Sequence, residues 1–179
     1  IISGTDRPGS NTLKLSKVIQ KEWQALGEKV EIIDLQEVAQ GLQQGPQYGD
    51  PKSPVLKETL QKVMQSEGLI VVTPEYNGSM PGVLKQLIDH LQFPQSFEYR
   101  PVCFVGLGGM FGALRPVEHL QGVFGYRNAF IYPERVFVMN VWKILTDEGL
   151  QDATVLGLIQ KQAKGFQAFC KALQQAGLD

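Results

Sequence analysis

The chain reads as an α/β fold: a three-layer sandwich with a five-stranded parallel sheet in the order 2-1-3-4-5 and helices on both faces. Three observations predict it. Apolar runs at Leu69–Val72 and Val102–Leu107 lack the alternation of a half-exposed strand and match strands buried on both faces. Strand patterns of this kind alternate with helical periodicity five times along the chain, as a parallel sheet built from βαβ units requires. Right-handed crossovers leave few topologies, and the order 2-1-3-4-5 makes the loops after the first and third strands face each other across the switch point. No internal repeat, low-complexity tract or domain linker interrupts residues 1–179, so a single domain is expected.

In chain order, Ile1-Ile2 ends a first strand, and the loop Ser3–Thr12 follows. A helix is predicted from about Leu13 to Leu26, with Leu15, Val18, Ile19 and Leu26 on its buried side and Gly27 closing it. Val30–Leu35 alternates enough for a second strand. Residues 36–53, rich in Gln, Gly and Pro, read as loop with at most one short helical turn. That is long for a structureless connection, which marks it as a functional or interface loop. Pro54–Ser66 is helical, with Val55, Leu56, Leu60, Val63 and Met64 apolar. The third strand follows, then a polar turn, then a helix carrying Val83, Leu84, Leu87, Ile88 and Leu91 on one face. Phe93–Tyr99 is a linker, and the fourth strand ends in Gly108-Gly109. Met110–Phe124 is loop and helix. Ala129–Tyr132, extended by Val136–Val138, forms the fifth strand. Asp152–Ala176 is a last long helix.

The composition excludes several classes. Apolar residues make up 43% of the 179, charged residues 20%, and the net charge is −1. That is ordinary for a soluble protein. It shows neither the basic excess of a nucleic-acid binder nor the acidic surface of an electron carrier. No apolar run is long enough to span a membrane. The chain opens at Ile1, without Met, inside a strand pattern, so a trimmed N-terminus is expected. Cys103 and Cys170 sit on apolar faces and read as core residues, which points to a reducing, cytoplasmic setting. His90 and His119 have no ligand-spaced partner, so no metal site is expected.

Two loops carry the chemistry. After the third strand comes Pro74-Glu75-Tyr76-Asn77-Gly78-Ser79, in which Asn77-Gly78 permits positive φ and Pro81 suits a helix start. An aromatic ring, an amide and free backbone N–H groups at a strand's carboxyl end suit a flat, polar-edged heterocycle. In the first loop, Gly4 and Gly9 allow close backbone approach. Arg7 offers a charge-assisted contact, and Ser10, Asn11 and Thr12 stand at a helix N-terminus, where free N–H groups favour an anion. Simple helix capping by Asn11 or Thr12 is the alternative. There is no G-x-x-x-x-G-K-[ST] and no G-x-G-x-x-G, so a P-loop nucleotidase and a dinucleotide Rossmann site are disfavoured. A mononucleotide fits, with phosphate on the first loop and ring against the third. Gly108-Gly109 and Gly112 either make room for the ring's far edge or serve turn geometry alone.

These residues resemble a known family. Gly4-Thr5-Asp6-Arg7-Pro8-Gly9-Ser10 is similar to the Gly-Ser/Thr-x-Arg-x-x-Ser phosphate loop of the NADPH-dependent FMN reductases. The run from Pro74 to Lys85 is similar to their Pro-Glu-Tyr-Asn-x-Ser-x-Pro-Gly-x-Leu-Lys signature, and Gly108-Gly109 falls at their third flavin-contacting loop. Gln86 departs from the Asn, and His90-Leu91 from the Trp-Leu, that many members carry. The resemblance implies a flavodoxin-like fold, non-covalent FMN, and homodimers or homotetramers. It assigns the phosphate to Arg7, Ser10, Asn11 and Thr12. It places Pro74, Glu75, Tyr76, Asn77, Gly78 and Ser79 along the isoalloxazine ring, with Gly108 and Gly109 at its far edge. The implied activity is hydride transfer from NADPH or NADH through FMN to a small-molecule acceptor: a quinone, a flavin, an azo compound or a metal oxyanion. The flavin then carries the reaction and no catalytic side chain is required. The Asn77 and Gly78 N–H groups are candidates to bond the ring, and Glu75 is expected to hold the loop through backbone N–H bonds. Tyr76 packs either on the ring or against a neighbouring subunit; Phe111, Phe124 and Tyr126 are interface or core aromatics; His119 reads as a helix-surface residue. A flavodoxin-type carrier, whose Thr/Ser-x-Thr-Gly-x-Thr loop is absent, and a non-catalytic flavin-binding regulator are the alternatives.

Overall fold

A computed structural model describes residues 1–178. Its central strands are β-branched and apolar, and they are buried from both sides. Strand β1 (Ile2–Ser3) leads into helix α1 (Asn11–Ala25), and β2 (Ile33–Asp34) into α2 (Leu35–Leu42). Helix α3 (Pro54–Gln65), β3 (Leu69–Pro74), α4 (Gly82–His90) and β4 (Pro101–Leu107) follow. Then come α5 (Leu114–Tyr126), β5 (Phe130–Ile131), β6 (Val136–Val138) and α6 (Val141–Ile144). A hairpin of β7 (Leu145–Thr146) and β8 (Gly149–Leu150) precedes α7 (Ala153–Ala176).

The sheet order is β2-β1-β3-β4-β5, every pair parallel, as the alternation predicted. The fifth position is shared: β5 pairs with the start of β4 and β6 with its end. Between them the chain leaves the sheet, and α7 fills the gap. Gln162, 4% exposed, donates from Nε2 to Phe104 O at 3.0 Å and to Glu134 O at 2.9 Å. A buried carbonyl is costly without a donor, so this side chain replaces the missing strand.

Two cores sit on opposite faces of the sheet. Leu56, Leu60, Leu84, Leu87, Val117, Leu120 and Phe124 pack against Ile2, Val71 and Phe104. On the other face Leu15, Ile19, Trp23, Ile159, Ala163 and Phe166 pack against Ile70, Val72 and Val105. The layers are therefore α2–α5, sheet, and α1 with α7.

Three regions differ from the sequence expectation. Residues 35–42 form a full helix rather than loop, because Asp34 caps it and Leu35, Val38 and Leu42 bury one side. The second strand shrinks to two residues for the same reason, since Asp34 belongs to both. The α6 turn and the β7–β8 hairpin lie where no element is predicted. The hairpin is tied to α1 by an ion pair from Lys14 Nζ to Asp147 at 2.6 Å. Both cysteines are free, Cys103 buried and Cys170 half-buried on α7. No helix among the described residues is long and apolar enough to cross a membrane.

Candidate functional site

The two loops meet. Gly4 N–H donates to Val72 O at 2.8 Å, and a Cβ at Gly4 would lie only 2.6 Å from that oxygen, so glycine sets the close approach of first loop to third strand. Beyond it, Thr5 Oγ1 and Tyr76 Oη are hydrogen-bonded at 2.8 Å across 71 positions of sequence. Thr5 is 1% exposed and Tyr76 38% exposed, so the bond ties a buried residue of the first loop to a partly exposed ring on the third.

On the first loop Arg7 is exposed, whereas Ser10 and Thr12 are buried at 7% and 2% exposure. Helix α1 begins at Asn11, two residues earlier than predicted, and its N-cap is Ser10 rather than Asn11 or Thr12. Ser10 Oγ accepts from Leu13 N–H at 3.1 Å, which leaves its own hydroxyl hydrogen available. The N–H groups of Asn11 and Thr12 fall in the helix's first turn, where no carbonyl of the helix can reach them. Gly9, at φ +63°, curls the backbone into that turn. The Arg7 side chain is exposed and makes no ion pair or hydrogen bond among the described residues. Capping and anion binding are thus divided: Ser10 caps, and its neighbours are left with donors. The donor set is cationic and neutral, with Asp6 the one carboxylate on the loop, and it suits a phosphate held without a metal. Among the described residues no cluster of His, Cys, Asp or Glu is arranged to hold a metal ion.

The third loop closes on itself. Tyr76 N–H donates to Ser79 O at 2.9 Å and Ser79 N–H to Tyr76 O at 3.1 Å, around Asn77 at φ +51° and Gly78 at φ +79°. This is the mirror-image two-residue turn that Asn-Gly favours. Those two bonds, and not Glu75, hold it. The Glu75 carboxylate makes no hydrogen bond among the described residues, which corrects the expectation from sequence. The N–H groups of Asn77 and Gly78 take no part in the turn's two bonds and have no other partner among the described residues. Pro81 stands at the N-cap of α4, one position before the first turn expected for it.

Gly108 and Gly109 complete the edge. Gly108 N–H donates to Val138 O, while Val141 N–H donates to Gly108 O and Asn140 N–H to Gly109 O, at 2.9–3.1 Å. The loop after β4 is thereby fixed to the segment after β6. Both glycines are half-buried, and Trp142 stands beside Gly109, whose Cβ would lie 3.3 Å from it. Cys103 lies within β4, and burial pushes its thiol well above the ordinary range, so it supplies no thiolate to the site.

The twelve residues singled out from the sequence therefore lie on three loops at one end of the sheet or on the strand and helix ends that flank them: Pro74 ends β3, and Asn11 and Thr12 open α1. A sequence profile of the NADPH-dependent FMN reductases matches residues 1–143. The chain belongs to the NADPH-dependent FMN reductase family. An FMN-dependent NADPH-azoreductase of Staphylococcus aureus is 31% identical to it over 126 residues, 68% of this chain and 65% of that relative. The match thus spans slightly less than two thirds of the relative's length. The NAD(P)H:(acceptor) oxidoreductase FerB of Paracoccus denitrificans superposes with a TM-score of 0.74 at 21% identity, over 96% of this chain and 95% of that one. An apo NADH:FMN oxidoreductase superposes at 0.75 with 20% identity, over 94% and 87%. At such identities these two structures establish the flavodoxin-like fold.

Two residues of this family member escaped the reading of its motifs. Thr5 sits inside the first motif, but its contact with Tyr76 depends on strand order and leaves no local pattern. Arg115, on α5, belongs to neither motif; a Cβ at Gly78 would lie 3.8 Å from its Nη1. His119, one turn on, is exposed as expected, yet its Nδ1 is 2.9 Å from Ser79 Oγ. Spacing of four on one helix is the signal that pairs these two. Phe124 is core at 1% exposure, whereas Phe111 and Tyr126 are 66% and 79% exposed.

Proposed function

We propose that this protein binds FMN at the C-terminal edge of its sheet and acts as an NAD(P)H-dependent oxidoreductase. The observation that carries the proposal is the Thr5–Tyr76 bond. It joins a loop with unused anion donors to a loop with unused donors beside an aromatic ring, at the switch point where such sheets bind ligands. Arg7, Ser10, Asn11 and Thr12 would hold the phosphate. Pro74–Ser79 would border the ring on one side and Gly108-Gly109 on the other. Bound there, FMN would supply the two-electron chemistry, taking hydride from NADPH or NADH and reducing a small-molecule acceptor.

The chain's own part is positioning and electrostatics. Asn77 and Gly78 would direct N–H groups at the ring edge, where they stabilise negative charge. Arg7 would neutralise phosphate, and the Thr5–Tyr76 bond would fix the separation of the two ends. Ser79 Oγ and His119 Nδ1 are within hydrogen-bond reach at 2.9 Å, but hydride transfer through a flavin would ask no nucleophile of that pair. The acceptor belongs to the quinone, flavin, azo or metal-oxyanion classes, and the name of the related azoreductase supports the azo class. Assembly as a homodimer or homotetramer is part of the proposal. Met110, Phe111, Met139 and Trp142, all 53–74% exposed near the crevice, offer the apolar face that pairing needs. Two free cysteines agree with a cytoplasmic setting.

The test is the absorption spectrum of the FMN-loaded protein under anaerobic conditions. NADPH should bleach the flavin band and a quinone should restore it. A flavin band that persists for minutes with excess NADPH would instead make the protein a carrier or a sensor.

A further inference from the structure

Between α2 and α3, residues 45–52 take part in no backbone–backbone hydrogen bond among the described residues. One side chain organises them instead. Lys52 Nζ donates to Gln47 O at 2.9 Å and to Pro46 O at 3.2 Å, which closes the loop on itself, and it lies 3.2 Å from His90 Nδ1 on α4. That last contact is, among the described residues, the one hydrogen bond by which this stretch reaches another element. The Asp50–Lys57 ion pair, at 3.9 Å between side chains that are 77% and 59% exposed, adds little.

His90 can accept from Lys52 only while it is neutral. Its ring is 2% exposed, and Nε2 lies 3.2 Å from Leu42 O. A carbonyl has no hydrogen to give, so Nε2 holds the ring's hydrogen and Nδ1 turns a lone pair to Lys52. An imidazolium carries hydrogen on both nitrogens and offers no lone pair. A proton on Nδ1 therefore removes the acceptor and sets two cations 3.2 Å apart, out of reach of bulk water. The other charges around the ring do not prevent this. Asp89, next to it on α4, is paired with Lys85 at 2.6 Å. From α2 the ring meets the Leu42 carbonyl, which Gln86 Nε2 also reaches at 3.1 Å. Asp50 of the loop, Lys57 of α3 and His119 of α5 line the same groove as His90, a space of about 1170 Å³ to which Gln47, Tyr48 and Lys52 also contribute.

We infer that the Lys52–His90 bond is a proton-operated latch: when His90 takes up one proton, the loop of residues 45–52 lets go of α4 and the groove that it helps to line opens. The latch does not depend on the oxidoreductase reading, because none of its members belongs to the three loops at the sheet edge. Its direction follows from what holds the ring. Burial and then the Lys52 ammonium keep latched His90 below its ordinary value of 6.5. Released from Lys52, the ring takes a proton more readily, so acid favours the open loop. The latch is fully closed above about pH 6.5, and below it the open-to-closed ratio rises by up to about tenfold per pH unit.

The test places a fluorophore with pH-independent emission on Tyr48→Cys, at a site 79% exposed, in a Cys170→Ser background; Cys103 is buried and stays unlabelled. Its anisotropy is followed in FMN-loaded protein from about pH 8 to 5, with circular dichroism to show that the chain stays folded. The wild type should hold a constant value above about pH 6.5 and then fall reversibly with the steepness of a single proton. Lys52→Met should give the low value at every pH, without a step. His90→Gln, whose amide can accept from Lys52 and donate to Leu42 O without titrating, should keep the high value throughout. A flat wild-type trace, or the wild-type step in either variant, would overturn the latch. So would a step that disappears in Asp50→Asn, which would assign it to the ion pair with Lys57. A further readout needs no variant at the latch: nitrogen-15 shifts of the wild type at pH 8 should show His90 with its hydrogen on Nε2, and a hydrogen on Nδ1 would contradict the inference.

Discussion

The loop of residues 4–12 and the loop of residues 43–53 look alike in sequence, both rich in glycine, proline and polar side chains. In the structure they are opposites. In the second loop the polar atoms turn inward: Lys52 Nζ donates to Gln47 O at 2.9 Å and to Pro46 O at 3.2 Å, and lies 3.2 Å from His90 Nδ1. His90, 2% exposed, lies with Nε2 3.2 Å from Leu42 O. A carbonyl only accepts, so Nε2 carries the proton and Nδ1 accepts from Lys52. In the first loop the Arg7 side chain and the N–H groups of Asn11 and Thr12 find no such partners among the described residues. Buried or clasped polar groups are satisfied as a rule, so a set of donors left open at the sheet's C-terminal edge points to a ligand. The clasp on the α2–α4 side points to structure. Composition does not separate these two roles; the location of the hydrogen-bond partners does.

The sharpest way to break this contrast is Arg7→Ala. It should weaken FMN binding about ten- to hundredfold, roughly 1.5–3 kcal/mol, with thermal stability of the apo protein unchanged. An FMN titration followed by flavin fluorescence measures the first and calorimetry the second. Tyr76→Phe removes one partner of the Thr5 hydroxyl. It should cost about 1 kcal/mol in stability and weaken FMN severalfold, because the ends of the crevice lose their tie. Urea unfolding and the same titration check it. Lys52→Met should show the inverse of Arg7→Ala: a loss of about 1 kcal/mol in unfolding free energy with FMN affinity untouched. An effect of Lys52→Met on FMN would erase the distinction drawn between the two loops.

The smallest effect is on pH dependence. Burial and the neighbouring Lys52 ammonium hold His90 below its ordinary value of 6.5, while the Leu42 carbonyl and Asp89 partly offset them. The unfolded chain then takes up this proton at a higher pH than the folded protein does. Stability from this group is complete above about pH 6.5 and is lost as the pH falls from there towards the lower folded value. Denaturation midpoints measured from pH 7 to 5 should decline in the wild type and decline less in His90→Leu.

Much of the fold was legible because its signals are local. Leu69–Val72 and Val102–Leu107 are apolar enough to be buried strands whatever surrounds them, and Pro54 with the Leu56–Val63 face marks α3 before any contact is known. Helix α2 was hidden because Gln36, Gln40 and Gly41 dilute its pattern; Gly41 is there to let Ser53 and Val55 approach, with Val55 Cγ1 only 2.5 Å from where its Cβ would stand. The broken fifth strand depends on Gln162, some thirty positions away, and no local pattern announces that a glutamine will stand in for backbone. At the site, the motifs located all three loops. The N-cap was misplaced by one or two residues because Ser10, Asn11 and Thr12 are all good caps, and only geometry chooses among them. The Thr5–Tyr76 tie and the position of Arg115 are products of sheet order and helix orientation, and so appear only in three dimensions.

The central claim is that the first loop grips a phosphate. The most direct measurement compares riboflavin with FMN, two ligands with the same ring system that differ in that one group, in parallel fluorescence titrations of the wild-type apo protein. The account predicts that FMN binds at least about tenfold more tightly, and that this advantage disappears in Arg7→Ala. Equal affinities of the wild type for the two flavins would contradict it.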